Sequence, residues 1–522
     1  MRHSEWRLAA LAAVASCIAL WWSASHHQLL LYGDAVAHLH IARRVIDTQN
    51  PAIANLGSVW LPFPHLLLVP FVSVLRWWQT GVPGALPAML SYIAAVVGVY
   101  RLAKFWLPEA WSVLAAVAFA VNPSLLYLQT TAMTEPLFLA LFCWALVWTV
   151  DCSRALTAGE DSRAAWALVK AGAALAAAVL TRYDGWILTA LIGCYLLLAH
   201  GRRVFRGSAR LRVAAIIFIV LVLAAPLSWL WFNARYFHDP LDFARGPYSA
   251  KAIEMRSSAP GHDPHPGYHK PWLALRYYLR VSTLDAAAGA VGNFVLLALA
   301  FGGLAAMFRR DSALRFAALT LWFPLAFYTY SVGYGSVPIF MPVWPPHSYY
   351  NTRYGLEMLP AFAVCASAAL FAVSQWRGRP KVWLTLGWAL TAINACALTA
   401  ATPVVLREAR ANSATRIPFE HALAAQILQV PGNQRLLMYA SAFAGALQEA
   451  GRPLREVTSE SDYYQWRDAL QSPAANAEYV LAVDGDPVAQ AVALHPDGLQ
   501  VVSVITEEGQ PRAVMYRSMG NK

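Results

Sequence analysis

Apolar stretches long enough to cross a bilayer recur along almost the whole of this 522-residue chain. They lie near residues 8–30, 84–105, 110–128, 133–151, 164–182, 184–200, 213–233, 287–307, 314–332, 354–374 and 382–402. A spanning helix needs about 20 consecutive apolar residues, and the lipid core leaves no water for an unpaired backbone. The expected fold is therefore an α-helical polytopic membrane protein of about eleven transmembrane helices. Composition agrees: 58% of residues are hydrophobic and 13% are charged, about half the charge of a typical soluble domain. Soluble, disordered and collagen-like classes are excluded. The first run is too long for a cleaved signal peptide and lacks a small-residue cleavage site, so it reads as an anchor.

Basic loops set the expected orientation. Arg202, Arg203, Arg206, Arg210 and Arg212 form one cluster, Arg309, Arg310 and Arg315 a second, and Arg377, Arg379 and Lys381 a third. With these inside, the N-terminus is cytoplasmic and the chain after Pro403 lies outside, in the inner (cytoplasmic) membrane of a cell envelope. The segment 58–78 is apolar but holds Pro62, Pro64 and Pro70, which oppose a straight helix. It reads as an interfacial or re-entrant element on the outer face. The division is then residues 1–402 as a transmembrane domain with outer loops 31–83 and 234–286, and residues 403–522 as a small C-terminal α/β extracytoplasmic domain. In the latter, 417–429 has helical spacing, while 435–441, 478–483 and 499–505 read as strands. That tail holds 10 Lys and Arg against 13 Asp and Glu, a balance of −3, so of the chain's net +11 the membrane part carries +14. No Arg-rich run interleaved with aromatics marks a nucleic-acid surface, and no nucleic-acid partner is expected. Six cysteines in or beside apolar runs, without C-x-x-C spacing, read as small core residues.

Charge inside or beside a span is costly and needs a reason. In GDAVAHLHIARR, Asp34 and His38 are spaced i, i+4 and share a helix face; the rival reading makes Asp34 only an N-cap. Glu135 precedes Pro136 at the outer start of a span, where offsetting the helix dipole is an equal explanation. Arg182 and Asp184 sit in a short outer turn and would pair with each other if they only closed it. Arg353 and Tyr354 lie at an outer mouth, with Glu357 one turn inside. The second outer loop carries Lys251, Arg256, Lys270 and Arg276 as phosphate-binding candidates. A divalent metal is the one cofactor to consider, with Asp34, His38, Glu135, His262, His265 and His269 as candidate ligands.

Taken together, GDAVAHLHIARR, WLPFPHLLLVPF, MTEPLFLALF and RYGLEMLPAF resemble the GT-C superfamily of membrane glycosyltransferases. In particular the chain resembles the bacterial family related to protein O-mannosyltransferases and lipid A aminoarabinose transferases, over roughly residues 8–402. The C-terminal Trp-Trp-Asp-Tyr-Gly motif of oligosaccharyltransferases is absent, which argues against transfer of a preassembled glycan to Asn. The resemblance implies a hexosyl- or pentosyltransferase. It would move one sugar, with inversion, from a polyprenyl-phosphate donor to a lipid, glycan or protein acceptor on the outer face. It also implies roles: Asp34 as general base, His38 beside it, and Glu135 orienting the acceptor or sharing a metal with Asp34. Arg182, Arg353 and Lys270 would meet the lipid phosphate, and His65, Asp184 and Tyr354 would line the substrate side.

Two rival classes remain. A transporter or lipid flippase also needs intramembrane acids, but it favours inverted repeats and interrupted helices at the midplane, and neither is evident. A non-catalytic membrane scaffold presenting the C-terminal domain would not need Asp34, Glu135 and Arg353 to converge.

Overall fold

The computed structural model describes residues 3–257, 264–308 and 311–520. Of the residues singled out above, His262, Arg309 and Arg310 lie outside these. Ten helical segments among the described residues are long and apolar enough to cross a membrane. They match ten of the expected runs. They comprise α1 (His3–Ser25), α5 (Leu86–Ala103, entered through a short turn at Pro83–Ala85), α8 (Glu135–Thr157), α9 (Asp161–Val179), α10 (Asp184–Phe205) and α11 (Ala209–Phe237). After the second outer loop come α15 (Gly289–Met307), the pair α16 (Ser312–Thr320) and α17 (Phe323–Tyr334), α18 (Leu359–Arg377) and α19 (Pro380–Ala400). The eleventh run, 110–128, is broken at Asn122–Pro123 into α6 (Glu109–Ala120) and α7 (Pro123–Leu128). Asn122 caps α7 by accepting from Leu125 N at 3.0 Å, and Pro123 favours a helix start there.

The segment 58–78 forms α3 (Pro62–Val72) and α4 (Leu75–Thr80), after α2 (Gly33–Arg44). Eleven residues of helix reach about 16 Å, half of a hydrocarbon core. Phe63 N donates to Leu180 O at 3.0 Å, which ties α3 to the end of α9. The second outer loop holds α12 (Asp242–Arg245), α13 (Ala250–Ser257) and α14 (Pro271–Ala286).

In the membrane part, α5, α8 and α18 run through the centre, and their Phe138, Phe142, Tyr92 and Phe362 are buried. Outer helices expose Leu198, Ile216, Val291 and Ile393, as lipid-facing positions should. Close packing uses small residues. A Cβ on Gly303 of α15 would sit 1.7 Å from Cys365 O of α18, so only glycine permits that approach.

The two ends of the bundle differ. At one end, Glu5 pairs with Arg101, Arg154 with Asp311, Arg163 with Asp151, and Arg203 with Asp161. The opposite end carries α2 to α4, the second outer loop and the C-terminal domain. That domain begins with α20 (Val404–Ser413) and α21 (Arg416–Ile427) and builds a mixed five-stranded sheet. Its strands are β1 (Leu436–Met438), β2 (Val457–Thr458), β3 (Tyr479–Val483), β4 (Leu499–Ile505) and β5 (Ala513–Ser518), in the order β2-β1-β3-β5-β4. β1 pairs parallel with β2 and β3, while β5 runs antiparallel to β3 and β4. The sheet domain is fastened to the first outer loop. Arg455 Nη1 meets Asp47 at 2.8 Å, Gln49 Nε2 donates to Thr458 Oγ1 at 2.9 Å, and Gln448 Nε2 donates to Trp78 O at 2.5 Å.

Candidate active site

Five elements deliver charged side chains to one cavity of about 240 Å³ at that end, lined by Asp34, His38, Trp60, Glu135, Arg182, Asp184, Tyr328, Arg353 and Tyr354 among others. Asp34 is in the first turn of α2, but the N-cap position belongs to Tyr32, and no side chain caps that helix. Its carboxylate instead meets Arg353 Nη2 at 2.5 Å. Glu135 opens α8, where an acid suits the positive end of the helix, yet its Oε1 accepts from both Arg182 Nη1 at 3.2 Å and Arg353 Nε at 3.1 Å.

Arg182 ends the α9–α10 turn. It does pair with Asp184, Nε to Oδ2 at 3.1 Å, and Gly185 N donates to Asp184 Oδ1 at 2.9 Å. A Cβ on Gly185 would lie 2.4 Å from Ala178 O, so the tightness of this turn requires glycine. Turn closure is only part of the role, because Arg182 also donates to Thr134 Oγ1 at 3.3 Å and Tyr328 OH at 2.6 Å, and pairs with Glu357 Oε1 at 3.2 Å. A guanidinium has five N–H groups; four of those of Arg182 are hydrogen-bonded, and its Nη2 also faces Glu357 as an ion pair.

Arg353 and Glu357 come from a 3₁₀ helix, Thr352–Met358, leading into α18. Arg353 spends its three nitrogens on Asp34, Glu135 and, at 3.3 Å, Glu408 of α20, which leaves two N–H groups. Both guanidinium carbons stand over the Tyr354 ring, at 5.0 Å for Arg182 and 4.9 Å for Arg353. Exposure separates the carboxylates. The Asp34 side chain is 41% exposed, whereas those of Glu135, Asp184, Glu357 and Glu408 are at 1% or less.

On the other wall, His38 Nδ1 lies 2.8 Å from Nε2 of His65, which α3 holds fully buried, and Trp60 tilts against His38 at 4.5 Å between centroids. Burial first, then the charges of Arg353 and Arg182, push His38 down to about 3, so it is neutral near pH 7. His65 is also pushed down, by burial first.

The cavity thus gathers Asp34, His38, Glu135, Arg182, Asp184, Arg353 and Tyr354, with His65 directly behind. Lys270, His265 and His269 do not line it. His265 pairs with Glu254 at 3.1 Å, His269 N donates to Gly333 O, and Lys270 precedes α14. Among the described residues no three His, Cys, Asp or Glu converge on a metal position. Sequence reasoning missed Tyr328 and Glu408. The first reads as one more interfacial aromatic, and the second as an ordinary acid of the tail.

Residues 66–229 match the family model of dolichyl-phosphate-mannose-protein mannosyltransferases. No curated protein matches the chain. Two crystal structures of ArnT from Cupriavidus metallidurans share the fold. The one bound to undecaprenyl phosphate has a TM-score of 0.59 at 14% identity, over 99% of this chain and 98% of that one. The apo form has a TM-score of 0.59 at 15% identity, over 98% and 99%. The likeness to ArnT extends over the fold from end to end, and the segment that matches the mannosyltransferase family model lies inside its membrane part.

Proposed function

We propose that this glycosyltransferase moves one sugar from a polyprenyl-phosphate donor to a hydroxyl of a lipid, glycan or protein acceptor, at the extracytoplasmic face of the cytoplasmic membrane. One observation carries the reading: of the three carboxylates that line the cavity, Asp34, Glu135 and Asp184, only Asp34 has an exposed side chain, and Arg353 holds it in place. Asp34 takes the acceptor proton as the oxygen attacks the anomeric carbon. The new C–O bond forms as the bond to the donor phosphate breaks, and that electron pair leaves on the lipid phosphate. Attack in line with the leaving group inverts the anomeric centre.

The leaving phosphate needs donors aimed at its developing charge. Arg353 has two N–H groups to give, whereas Arg182 has four bonded and its Nη2 turned to Glu357, so Arg353 meets the phosphate and Arg182 braces the acids around it. The undecaprenyl phosphate bound to the C. metallidurans ArnT supports a lipid phosphate in this fold. His38, kept neutral, borders the acceptor side without adding charge.

The test is Asp34→Asn, which preserves size and a hydrogen bond to Arg353 but removes the base. Dolichyl-phosphate mannose, named for the matching family, serves as donor probe, with native membrane extract as acceptor. Turnover is expected to fall about 10²–10⁴-fold, while donor binding stays close to native. Near-native turnover would remove Asp34 from this role.

A further inference from the structure

Glu408 belongs to no motif of the membrane part, yet it reaches the site. It lies on α20, just past the turn at Thr402 and Pro403 that ends the last long helix. Its side chain is 1% exposed and accepts from four donors. Oε1 takes Asn351 N at 2.9 Å and Arg353 Nη1 at 3.3 Å. Oε2 takes Thr352 N at 2.7 Å and the Thr352 hydroxyl. Asn351 adopts φ 57°, a left-handed conformation that Asn tolerates, and this bend lets the Asn351 and Thr352 N–H groups share one carboxylate. The neighbouring turn of α20 is pinned as well, because Tyr32 OH donates to Val405 O at 2.9 Å and the Arg353 guanidinium stands over the Tyr32 ring.

We infer that Glu408 is a positioning residue: it fixes the Arg353 guanidinium, and through Arg353 the working position of Asp34. The inference rests on the reading of Asp34 given above. Here the same oxygen serves backbone and guanidinium, so the bend and the Arg353 head are held as one piece. Each of the three Arg353 nitrogens faces a carboxylate from a different element, α2, α8 or α20, and that arrangement fixes the plane of the head. With Glu408 gone, two contacts remain and the plane can turn, carrying Asp34 with it. A misplacement of about 1 Å costs on the order of 10²-fold in rate.

Two measurements on the full-length protein in detergent test this. The first is a cryo-electron microscopy map of Glu408→Gln, in which the Arg353 head and the Asp34 carboxylate are expected to shift together from their present positions. A map with both in their present positions overturns the inference, whatever the donor is. The second is a double-mutant cycle with Arg353→Lys, a residue unable to hold three carboxylates in one plane. With dolichyl-phosphate mannose as donor probe, Glu408→Gln is expected to lower kcat about 10- to 100-fold with donor KM near native. In the Arg353→Lys background the same change should have almost no effect. An equal loss in both backgrounds, or an effect on KM alone, overturns the inference. If Glu408→Gln does not fold, Thr352→Val removes one donor to Glu408, and a smaller kcat loss with the same dependence on Arg353 is expected. Asp34→Asn measured alongside keeps the two ideas apart, since its near-native turnover would refute the base assignment while the map still decides Glu408.

Discussion

Replacing Arg182 by Met removes one cation from among three buried acids while keeping much of the side-chain bulk. Glu135 retains Arg353, and Asp184 retains the Gly185 N–H, but Glu357 is left with the Tyr328 hydroxyl at 2.7 Å and the neighbouring carboxyl of Asp184, with no cation beside it among the described residues. Removing one partner of a buried pair costs about 3–5 kcal/mol, because the other charge stays buried without compensation. The loss should concentrate on Glu357, whose side chain is 0% exposed. A second substitution, Glu357→Gln, therefore changes sign with background. In the native protein it gives up a charge-assisted bond to Arg182 and destabilises by about 1.5–3 kcal/mol. In Arg182→Met it removes the stranded charge and recovers about 1–3 kcal/mol. With the exposed Cys17, Cys194 and Cys396 replaced by Ser, unfolding can be read in detergent with a thiol-reactive fluorogenic dye, because Cys143, Cys152 and Cys365 are buried and become reactive only on unfolding. Equal destabilisation by Glu357→Gln in both backgrounds would refute the account of Arg182 as counter-charge to this cluster.

Two further predictions concern pH and orientation. His38 is held neutral in the folded protein, with its pKa lowered to about 3, while an unfolded His titrates near 6.5. The unfolded state then binds the extra proton, so stability falls as pH drops through about 6.5 toward 3, by up to about 1.4 kcal/mol per unit. His38→Gln should lessen that slope by up to one proton's share, since His40 and His65 are also pushed down by burial and keep theirs, and an unchanged slope would contradict the assignment. For orientation, cysteines at Ser208 and Asp497, in a background lacking the native thiols, should react oppositely with an impermeant thiol reagent on intact cells. Labelling at 497 and not at 208 is expected; the reverse would invert the membrane orientation and move the site to the cytoplasmic face.

What the sequence could announce depends on whether a residue is unusual in its own neighbourhood. The long helices are legible because an apolar run of about 20 residues has no other economical fate in a bilayer. The three prolines of 58–78 similarly mark a segment that cannot run straight, and α3 is accordingly short. Asp34, Glu135, Arg182 and Arg353 are conspicuous as charges abutting apolar runs. The histidines at 265 and 269 are conspicuous too, but their Pro/Gly-rich loop concentrates them in sequence without gathering them around a ligand position. β2, two residues long, carries no usable periodicity, and β5 was not read as a strand. Glu408 defeats local reading for a deeper reason. In the segment VVLREAR it is one acid among basic neighbours, the pattern of a solvated helix face, and its burial arises only when α20 docks on a loop 57 residues earlier. Choosing between the two arginines is likewise beyond any motif. Both flank acids and both stack on Tyr354, and what favours Arg353 as the proposed phosphate partner is that three of its N–H groups are bonded against four on Arg182. Chemistry at this site is set by hydrogen-bond saturation, a property of five elements meeting, so variants that alter saturation without altering charge, such as Tyr328→Phe beside Arg182, address it more directly than removal of the arginines themselves.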